Sequence, residues 1–183
     1  MKFVKDGKPD LRPETFYMKF YHSPLGAYVL VSSKRGVVGV KSDNRRDSLL
    51  ARWEKNGIRI ENDSGQNDAV ERELDAYFTG KLVQFKSPLD LRGTVYQLRV
   101  WQELQAIPYG ETRTYGQVAS SMGQPTASRA VGGANNKNPI AIIVPCHRVI
   151  GADGGLVGYA GGLDRKKALL DLEACVRRKE TAM

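Results

Sequence analysis

The chain has 183 residues, of which 41% are hydrophobic and 26% charged, the balance of a folded protein with one domain or two small ones. No apolar run approaches the ~20 residues that span a bilayer, and the amino-terminal MKFVKDGKPD lacks the apolar stretch of a secretory signal. Membrane residence and secretion are therefore not expected. Lys and Arg exceed Asp and Glu by 28 to 20, and this surplus suits a polyanion such as DNA or, equally, an ordinary basic surface.

Cysteine and histidine are scarce in this chain. The two cysteines, Cys146 and Cys175, are too few for a disulfide framework, which predicts a protein of the reducing cytoplasm. His22 and His147 are the only histidines in the sequence, so a structural zinc site is hard to assemble. We therefore expect neither a metal ion nor another cofactor.

Residues 1–92 are predicted to form a small sheet with flanking helices. After a polar arm over residues 1–14, turn formers at 23–26 and 34–36 separate three runs of strand character, which is typical of an antiparallel meander. The predicted strands are residues 16–21, 27–32 and 37–41. Apolar side chains at helical spacing then predict two helices, over residues 45–55 and 68–79.

Residues 93–183 are predicted to form a second, mainly helical domain, with the domain boundary near Arg92. Leu98, Trp101 and Leu104 recur at helical spacing in its first helix, and Leu169, Leu172 and Val176 do so in its last. Threonines 94, 114 and 126 are the predicted N-caps of the first three of its helices, which cover residues 95–107, 114–122, 126–135 and 164–179. An apolar strand is predicted over residues 142–144, followed by a glycine-rich lid or ordinary loop over 151–162.

The helices at 114–122 and 126–135, joined by Gly-Gln-Pro, have the length and tight turn of a helix-turn-helix, although many helical hairpins only pack. Arg129 lies in the first turn of the second helix, on a side that cannot easily be buried. Its neighbours are small, and Gly132 and Gly133 each cost about 1 kcal/mol relative to alanine in a helix. Such a surface permits close approach of another backbone, whether of protein or of nucleic acid.

A thiol lies beside an imidazole in the segment Pro-Cys-His-Arg at residues 145–148. This pairing favours a thiolate nucleophile, whereas a lone cysteine is more often a buried small hydrophobe, the role expected for Cys175. Adjacent side chains of an extended chain point to opposite faces, so contact between Cys146 and His147 needs a bend or a bridging water. Glu173, in the last helix, is either a partly exposed carboxylate or a third group that orients His147.

Several segments together resemble one known family. The sequence Ile-Val-Pro-Cys-His-Arg-Val-Ile at residues 143–150 resembles the active-site signature of the O6-alkylguanine-DNA alkyltransferases. Other segments are similar to further motifs of this family and follow in the same order: residues 100–101, 107–110, 114–116, 129–132, 138–139 and 158–162. The resemblance runs from about residue 95 to residue 173, whereas residues 16–90 resemble the variable N-terminal domain of the family in pattern only.

The resemblance implies both a fold and an activity. The fold would be α/β with two domains, a ribonuclease H-like N-terminal domain over 1–92 and a helix-turn-helix, winged-helix-like domain over 93–183. The activity would be direct DNA repair as a methylated-DNA–protein-cysteine methyltransferase without a cofactor. Such a protein binds duplex DNA, flips out O6-alkylguanine or O4-alkylthymine, and passes the alkyl group irreversibly to one cysteine. Each molecule would therefore act once.

The resemblance also implies catalytic roles for five residues. Cys146 would be the acceptor, His147 would deprotonate it through a water, and Glu173 would orient the imidazole. Asn138 would brace the segment around the cysteine. Tyr115 would donate a hydrogen bond to the guanine as it leaves.

The remaining implied roles concern the DNA and the flipped base. Arg129 would fill the space of the extruded nucleotide, and Gln124, Ala127 and Tyr115 would contact DNA. The base pocket would be lined by Val149, Tyr159 and Ala160. Some relatives hold structural zinc in the N-terminal domain, but this chain has no cysteine there and only His22, so none is expected.

Two other functions stay open at the level of sequence. One is a DNA-binding module that recognises damage, or a regulatory sequence, without any transfer. The other is a cysteine hydrolase, although the sequence supplies no recognisable oxyanion site. We expect a monomer in solution, and the sequence leaves open whether molecules assemble cooperatively on DNA.

Overall fold

A computed structural model describes residues 13–181, so all but the last two residues of the predicted polar arm lie outside the described residues. The strands are β1 (Thr15–Ser23), β2 (Gly26–Ser33), β3 (Gly36–Ser42), β4 (Arg59–Asn62), β5 (Arg113–Thr114) and β6 (Val149–Ile150). The helices are α1 (Arg46–Glu54), α2 (Asp68–Phe78), α3 (Val95–Gln105), α4 (Tyr115–Ser121), α5 (Ser128–Asn136) and α6 (Leu163–Thr181). Within the described range, no helix combines the length and apolar character needed to cross a membrane.

Four strands form the main sheet in the order β3-β2-β1-β4. β2 pairs antiparallel with both β1 and β3, which confirms the predicted meander. β4 was not predicted, and it lies parallel to the outer side of β1. Its four residues, Arg-Ile-Glu-Asn, are exposed apart from a half-buried Ile60, so no alternation of buried and exposed side chains marks it as a strand.

The two faces of the sheet pack against different helices, because successive strand residues point to opposite sides. On one face, Val29 and Val31 of β2 join a small cluster with Trp53 of α1. The Trp53 ring meets the edge of Phe16 at 5.1 Å between centroids. On the other face, Tyr28 and Leu30 belong to the larger core cluster of the molecule.

The larger cluster continues through both halves of the chain. It joins sheet residues to Leu74 and Tyr77 of α2, and to Trp101 and Leu104 of α3. Trp101 is anchored further, since its Nε1 donates to the Ala134 carbonyl in α5 at 2.9 Å. Buried side chains on both sides of residue 92 therefore share one core, and the domain boundary near Arg92 stays a prediction from sequence.

Two of the three predicted N-caps are confirmed, and one is wrong. The Thr94 and Thr114 side chains each accept a hydrogen bond from the backbone three residues ahead, and glutamines there complete the capping boxes. Thr126 is not a cap, because the turn after α4 extends through it and Ala127 precedes the first residue of α5. Leu98 shares the helical spacing of Trp101 and Leu104 but is 37% exposed, whereas Val100 is buried.

The predicted strand at residues 142–144 is wrong, and this segment is a turn. Only Ile140 bridges to the sheet, beside Val40, after which the chain reverses. Ile142 adopts φ 73°, a conformation that a β-branched residue adopts only when its surroundings enforce it. This reversal delivers residues 146–148 to the interior, where β6 pairs parallel with β5 just ahead of α4.

Candidate active site

Cys146 and His147 lie in one turn of 3-10 helix, Cys146–Arg148, so the bend that the sequence required is present. All three residues of this turn are buried, and Cys146 is only 5% exposed. Its backbone N–H donates to the Val144 carbonyl at 2.8 Å. The thiol is therefore fixed inside the protein rather than displayed on a loop.

Asn138 ties together the reversal that precedes the cysteine. The side chain is buried, and its Nδ2 donates to the Val144 carbonyl at 2.8 Å. Its Oδ1 accepts from the Ile140 backbone N–H at 2.9 Å. One amide thus holds both ends of the strained turn around Ile142, which positions the Cys146 segment.

Glu173 is the centre of the buried polar network. It lies in α6 with no exposed surface, so of the two alternatives for this residue the partly exposed carboxylate is wrong. Its two oxygens accept five hydrogen bonds, at 2.7–3.0 Å, from Tyr77 Oη, the Gly110 N–H, His147 Nε2, Arg148 Nε and Arg148 Nη2. Five donors compensate the loss of water around a buried carboxylate.

These donors keep Glu173 ionised. Burial alone would raise the pKa of this carboxyl group, but the hydrogen bonds from His147 and Arg148 and the positive charge of Arg148 lower it to about 2. Arg148 is itself held in place, since its Nη1 donates to the Ile107 carbonyl at 2.7 Å. At neutral pH the network therefore carries a paired carboxylate and guanidinium.

The same network fixes the tautomer of His147. The imidazole is fully buried, and burial lowers its pKa despite the hydrogen bond to Glu173, so the ring is neutral at pH 7. An ionised Glu173 only accepts, so Nε2 carries the single ring proton across the 2.8 Å contact. Nδ1 is then a bare acceptor, and among the described residues it has no hydrogen-bond partner. His147 is thus arranged as a general base.

The Cys146 thiol needs such a base. Burial raises its pKa, and the hydrogen bond from Asn138 and the charges of Lys41 and Lys166 offset this only in part. The resting group is therefore the thiol, not the thiolate. A proton must leave Sγ before the sulfur can act as a nucleophile.

Three charged residues of the site, Lys41, Arg148 and Lys166, were not predicted from the sequence. Arg148 directly follows His147, but nothing local indicates that it pairs with Glu173. Lys166 is fully buried in α6, and its Nζ donates to the Val149 carbonyl at 2.6 Å and the Val157 carbonyl at 2.7 Å. Neither contact leaves a sequence signal, because the partners belong to separate elements.

An open cleft of about 720 Å³ lies between the helical pair and the glycine-rich loop. Tyr115, Arg129, Tyr159 and Ala160, all predicted site residues, line it. Tyr115 Oη donates to the Val157 carbonyl at 3.3 Å across the cleft. The cleft is large enough for a nucleobase. The small residues of α5 that line it, Gly132 and Gly133 among them, place little side-chain bulk on this wall.

Three of the residues predicted to contact DNA or line the base pocket lie outside this cleft. Gln124 is exposed in the turn between α4 and α5, and Ala127 is half-buried beside it. The Val149 side chain is fully buried and lines neither the cleft nor the cavity at Cys146, so only its backbone faces a polar partner, Lys166. The second cysteine, Cys175, is exposed, so its predicted role as a buried small hydrophobe is wrong.

A second, much smaller cavity of about 20 Å³ lies at Cys146 itself. It shares Asn136, Tyr159 and Ala160 with the cleft, so these residues separate the two spaces. The N-terminal sheet supplies Tyr28 to its wall. Among residues 13–181, the site included, no group of three His, Cys, Asp or Glu side chains is placed to hold a metal ion.

We predict that Glu173 stabilises the fold only above acidic pH. Its pKa is about 2 in the folded protein against about 4.5 unfolded, so its contribution is complete above pH ~5 and is lost as pH falls toward 2. The difference in unfolding free energy between wild type and Glu173→Gln should shrink by about 2 kcal/mol from pH 6 to pH 3. Urea denaturation across this range measures it.

Asp171→Asn provides the matched control, since Asp171 is an exposed carboxylate on the same helix. The wild-type advantage over this variant should stay within about 0.5 kcal/mol of a constant value. A pH-independent difference for Glu173→Gln as well would contradict the assigned ionisation of Glu173.

Two family models match the chain, one for each half. Residues 16–91 match the "6-O-methylguanine DNA methyltransferase, ribonuclease-like domain", and residues 95–175 match the corresponding "DNA binding domain". The predicted α/β fold with a ribonuclease-like sheet domain and a helical DNA-binding domain is thereby confirmed.

Known proteins match over nearly the whole chain. A methylated-DNA–protein-cysteine methyltransferase of Methanosarcina acetivorans is 48% identical over 159 residues, which cover 86% of this chain and 97% of the relative. The crystal structure of Mycobacterium tuberculosis OGT in complex with DNA superposes with a TM-score of 0.76 at 43% identity, covering 88% of this chain and 94% of that one. The O6-methylguanine-DNA methyltransferase of Pyrococcus kodakaraensis gives 0.60 at 25% identity, with 86% and 98% covered. This chain therefore belongs to the 6-O-methylguanine DNA methyltransferase family.

Proposed function

We propose that Cys146 is the cysteine to which this protein transfers the methyl group of O6-methylguanine in DNA, repairing the base in one irreversible turnover. The observation that carries this assignment is that a buried thiol and His147 share a single turn, and that His147 is hydrogen-bonded to the buried Glu173 of α6. Cys175 is a poor alternative, because it is exposed on α6 and lies outside the polar network. Family membership supports the reaction, and the polar network supports the residue.

The chemical step is a displacement at the methyl carbon. His147 Nδ1 takes the thiol proton through a bridging water, and the ionised Glu173 stabilises the imidazolium that forms. The Sγ lone pair then forms the S–C bond while the C–O6 bond breaks, and its electron pair stays on the guanine. The purine anion then takes up a proton from the His147 imidazolium by way of water, so the products are S-methylcysteine, neutral guanine and a neutral imidazole. No step of this sequence restores the thiol. One molecule therefore repairs one base.

Tyr115 is placed to assist the leaving group. Its hydroxyl lies at the cleft wall, and partial burial raises its pKa, so it stays protonated and able to donate. A hydrogen bond to the departing purine would neutralise the charge that develops there. The present acceptor, the Val157 carbonyl at 3.3 Å, is a weak contact that a substrate could replace.

The helical pair α4 and α5 is the proposed DNA-binding surface. Arg129 is exposed at the start of α5 and lines the cleft, where it can occupy the space that an extruded nucleotide leaves. Gln124 and Ala127 lie beside it in the turn, within reach of the backbone of a duplex. The small residues of α5 suit the narrow minor groove, and flipping a base costs a few kcal/mol.

The finer features of this function are also proposals. The substrates include O4-alkylthymine besides O6-alkylguanine, and the pocket for the flipped base is formed by Tyr159 and Ala160. The protein acts in the cytoplasm, which its two free cysteines support. It is a monomer in solution, and cooperative assembly on DNA is a matter for measurement.

The assignment of Cys146 is tested by mass spectrometry after mixing the protein with duplex DNA that contains O6-methylguanine. One methyl group per chain should appear, on the peptide that contains Cys146. Cys146→Ser should bind the duplex and transfer nothing, whereas Cys175→Ser should behave as wild type. Methyl on Cys175, or a methyl-free protein with intact lesion, would refute the assignment.

Arg129→Ala should slow repair in duplex DNA far more than reaction with free O6-methylguanine base. The expected loss in duplex is on the order of tenfold to a hundredfold, because only that substrate needs a flipped nucleotide. Single-turnover rates with both substrates measure it. Lys137→Ala removes the same charge from the other end of α5 and is the control, with roughly a threefold effect at most. Equal losses on both substrates would exclude the proposed role of Arg129 in occupying the space that an extruded nucleotide leaves.

A further inference from the structure

The small cavity at Cys146 has walls from both halves of the chain. The C-terminal part supplies Cys146, Asn138 and Tyr159, and the N-terminal sheet supplies Tyr28 and Lys41. Its volume of about 20 Å³ has room for one group of roughly the size of a water molecule. The sequence motifs that carry the family resemblance lie between residues 95 and 173, so the contribution of the sheet to this cavity is a separate feature.

This cavity borders Cys146 and offers the transferred group a place to reside. On the proposed function, on which this inference rests, the alkyl carbon becomes bonded to Sγ and stays there after guanine leaves. Cys146 is only 5% exposed, so the new substituent on Sγ has to fit among the surrounding side chains. The space beside Sγ therefore sets an upper limit on the group that the protein can accept.

Tyr28 is the wall least able to move. It lies on β2, which is hydrogen-bonded to strands on both sides, opposite Tyr21 of β1 and Ser42 of β3. Its ring is 2% exposed, and the Arg165 guanidinium of α6 lies 5.7 Å from the ring centroid. Arg165 is itself anchored by a 2.9 Å hydrogen bond to the Leu25 carbonyl. The ring is thus held by the sheet and by α6.

The other large wall residue is less constrained. Tyr159 lies in the glycine-rich loop, outside any helix or strand, and is only half-buried. A bulkier substituent can displace a loop side chain at modest cost, but it can displace Tyr28 only by distorting the central strand of the sheet. The Tyr28 hydroxyl has no hydrogen-bond partner among residues 13–181, so the contact surface of the ring, rather than a polar contact, is its contribution.

We propose that Tyr28 is a specificity-determining residue that restricts this protein to small O6-alkyl groups. Methyl is accommodated in the cavity at Cys146, and chains of three carbons are opposed by the Tyr28 ring. The restriction acts on the transfer rate rather than on DNA binding, because the cavity is separate from the cleft that faces the duplex.

The test compares single-turnover rates on duplexes that contain O6-methylguanine or O6-propylguanine. The intrinsic reactivity of the two carbons is the same for every variant, so a change in the methyl-to-propyl rate ratio reports on the cavity. Tyr28→Ala should lower this ratio on the order of tenfold or more, since single methylenes in pockets are worth about tenfold or more in discrimination. Tyr28→Leu should lower it less, and it serves if the alanine variant does not fold.

Two control variants separate size from other effects. Tyr28→Phe keeps the ring and removes the hydroxyl, so its ratio should stay within roughly twofold of wild type. Val29→Ala weakens the opposite face of the same strand, where Val29 belongs to the other core cluster, and should leave the ratio unchanged. DNA affinity should be equal for all variants. Thermal melting identifies which of them are folded.

The outcomes distinguish the two proposals. Suppose that the wild-type protein becomes methylated at Cys146 but that Tyr28→Ala and Tyr28→Leu both keep the wild-type methyl-to-propyl rate ratio. The size restriction is then wrong and the proposed function stands. A ratio that changes equally in Tyr28→Phe would also overturn it, because the hydroxyl would then be the cause. If wild type transfers no methyl group to Cys146, the proposed function itself fails.

Discussion

A carboxylate without water must be satisfied entirely by protein, and at Glu173 that requirement organises the centre of the molecule. Its five donors come from α2, from the turn after α3, and from the Cys146–Arg148 turn, while Glu173 itself lies on α6. Removing one partner of such a network costs several kcal/mol because the others are left buried and unpaired. The geometry of the nucleophile is therefore coupled to the packing of four separate segments.

The same network explains why a buried, protonated thiol is compatible with reactivity. His147 is neutral and Cys146 is a thiol at rest, so neither group adds an unpaired charge to the interior until a substrate arrives. A protein that reacts once has no need to regenerate its nucleophile, so deep burial costs it nothing in turnover. The sheet domain takes part through Tyr77, which donates to Glu173 at 2.7 Å, and through Tyr28 and Lys41 at the thiol cavity.

Features set by neighbours in sequence were predictable, and features set by distant contacts were not. The meander and the caps at Thr94 and Thr114 follow from local rules. The resemblance identified the family and singled out Cys146 as the proposed acceptor. The burial of Glu173 depends on its contact with Tyr77, which is 96 residues away in the sequence. The spacing of apolar residues in α6 does not indicate that Glu173 is buried. The strand expected at 142–144 failed because a single amide, on Asn138, reverses the chain there.

At the centre of this mechanism, burial keeps His147 neutral and Glu173 fixes the single ring proton on Nε2, which leaves Nδ1 as a bare acceptor. The most direct test is nitrogen-15 NMR of the imidazole rings, which is simple here because the chain has only two histidines and His22→Gln removes the other signal. The account predicts a protonated Nε2 and an unprotonated Nδ1 from pH 6 to pH 8. A ring that is doubly protonated at pH 7, or protonated at Nδ1 alone, would contradict it.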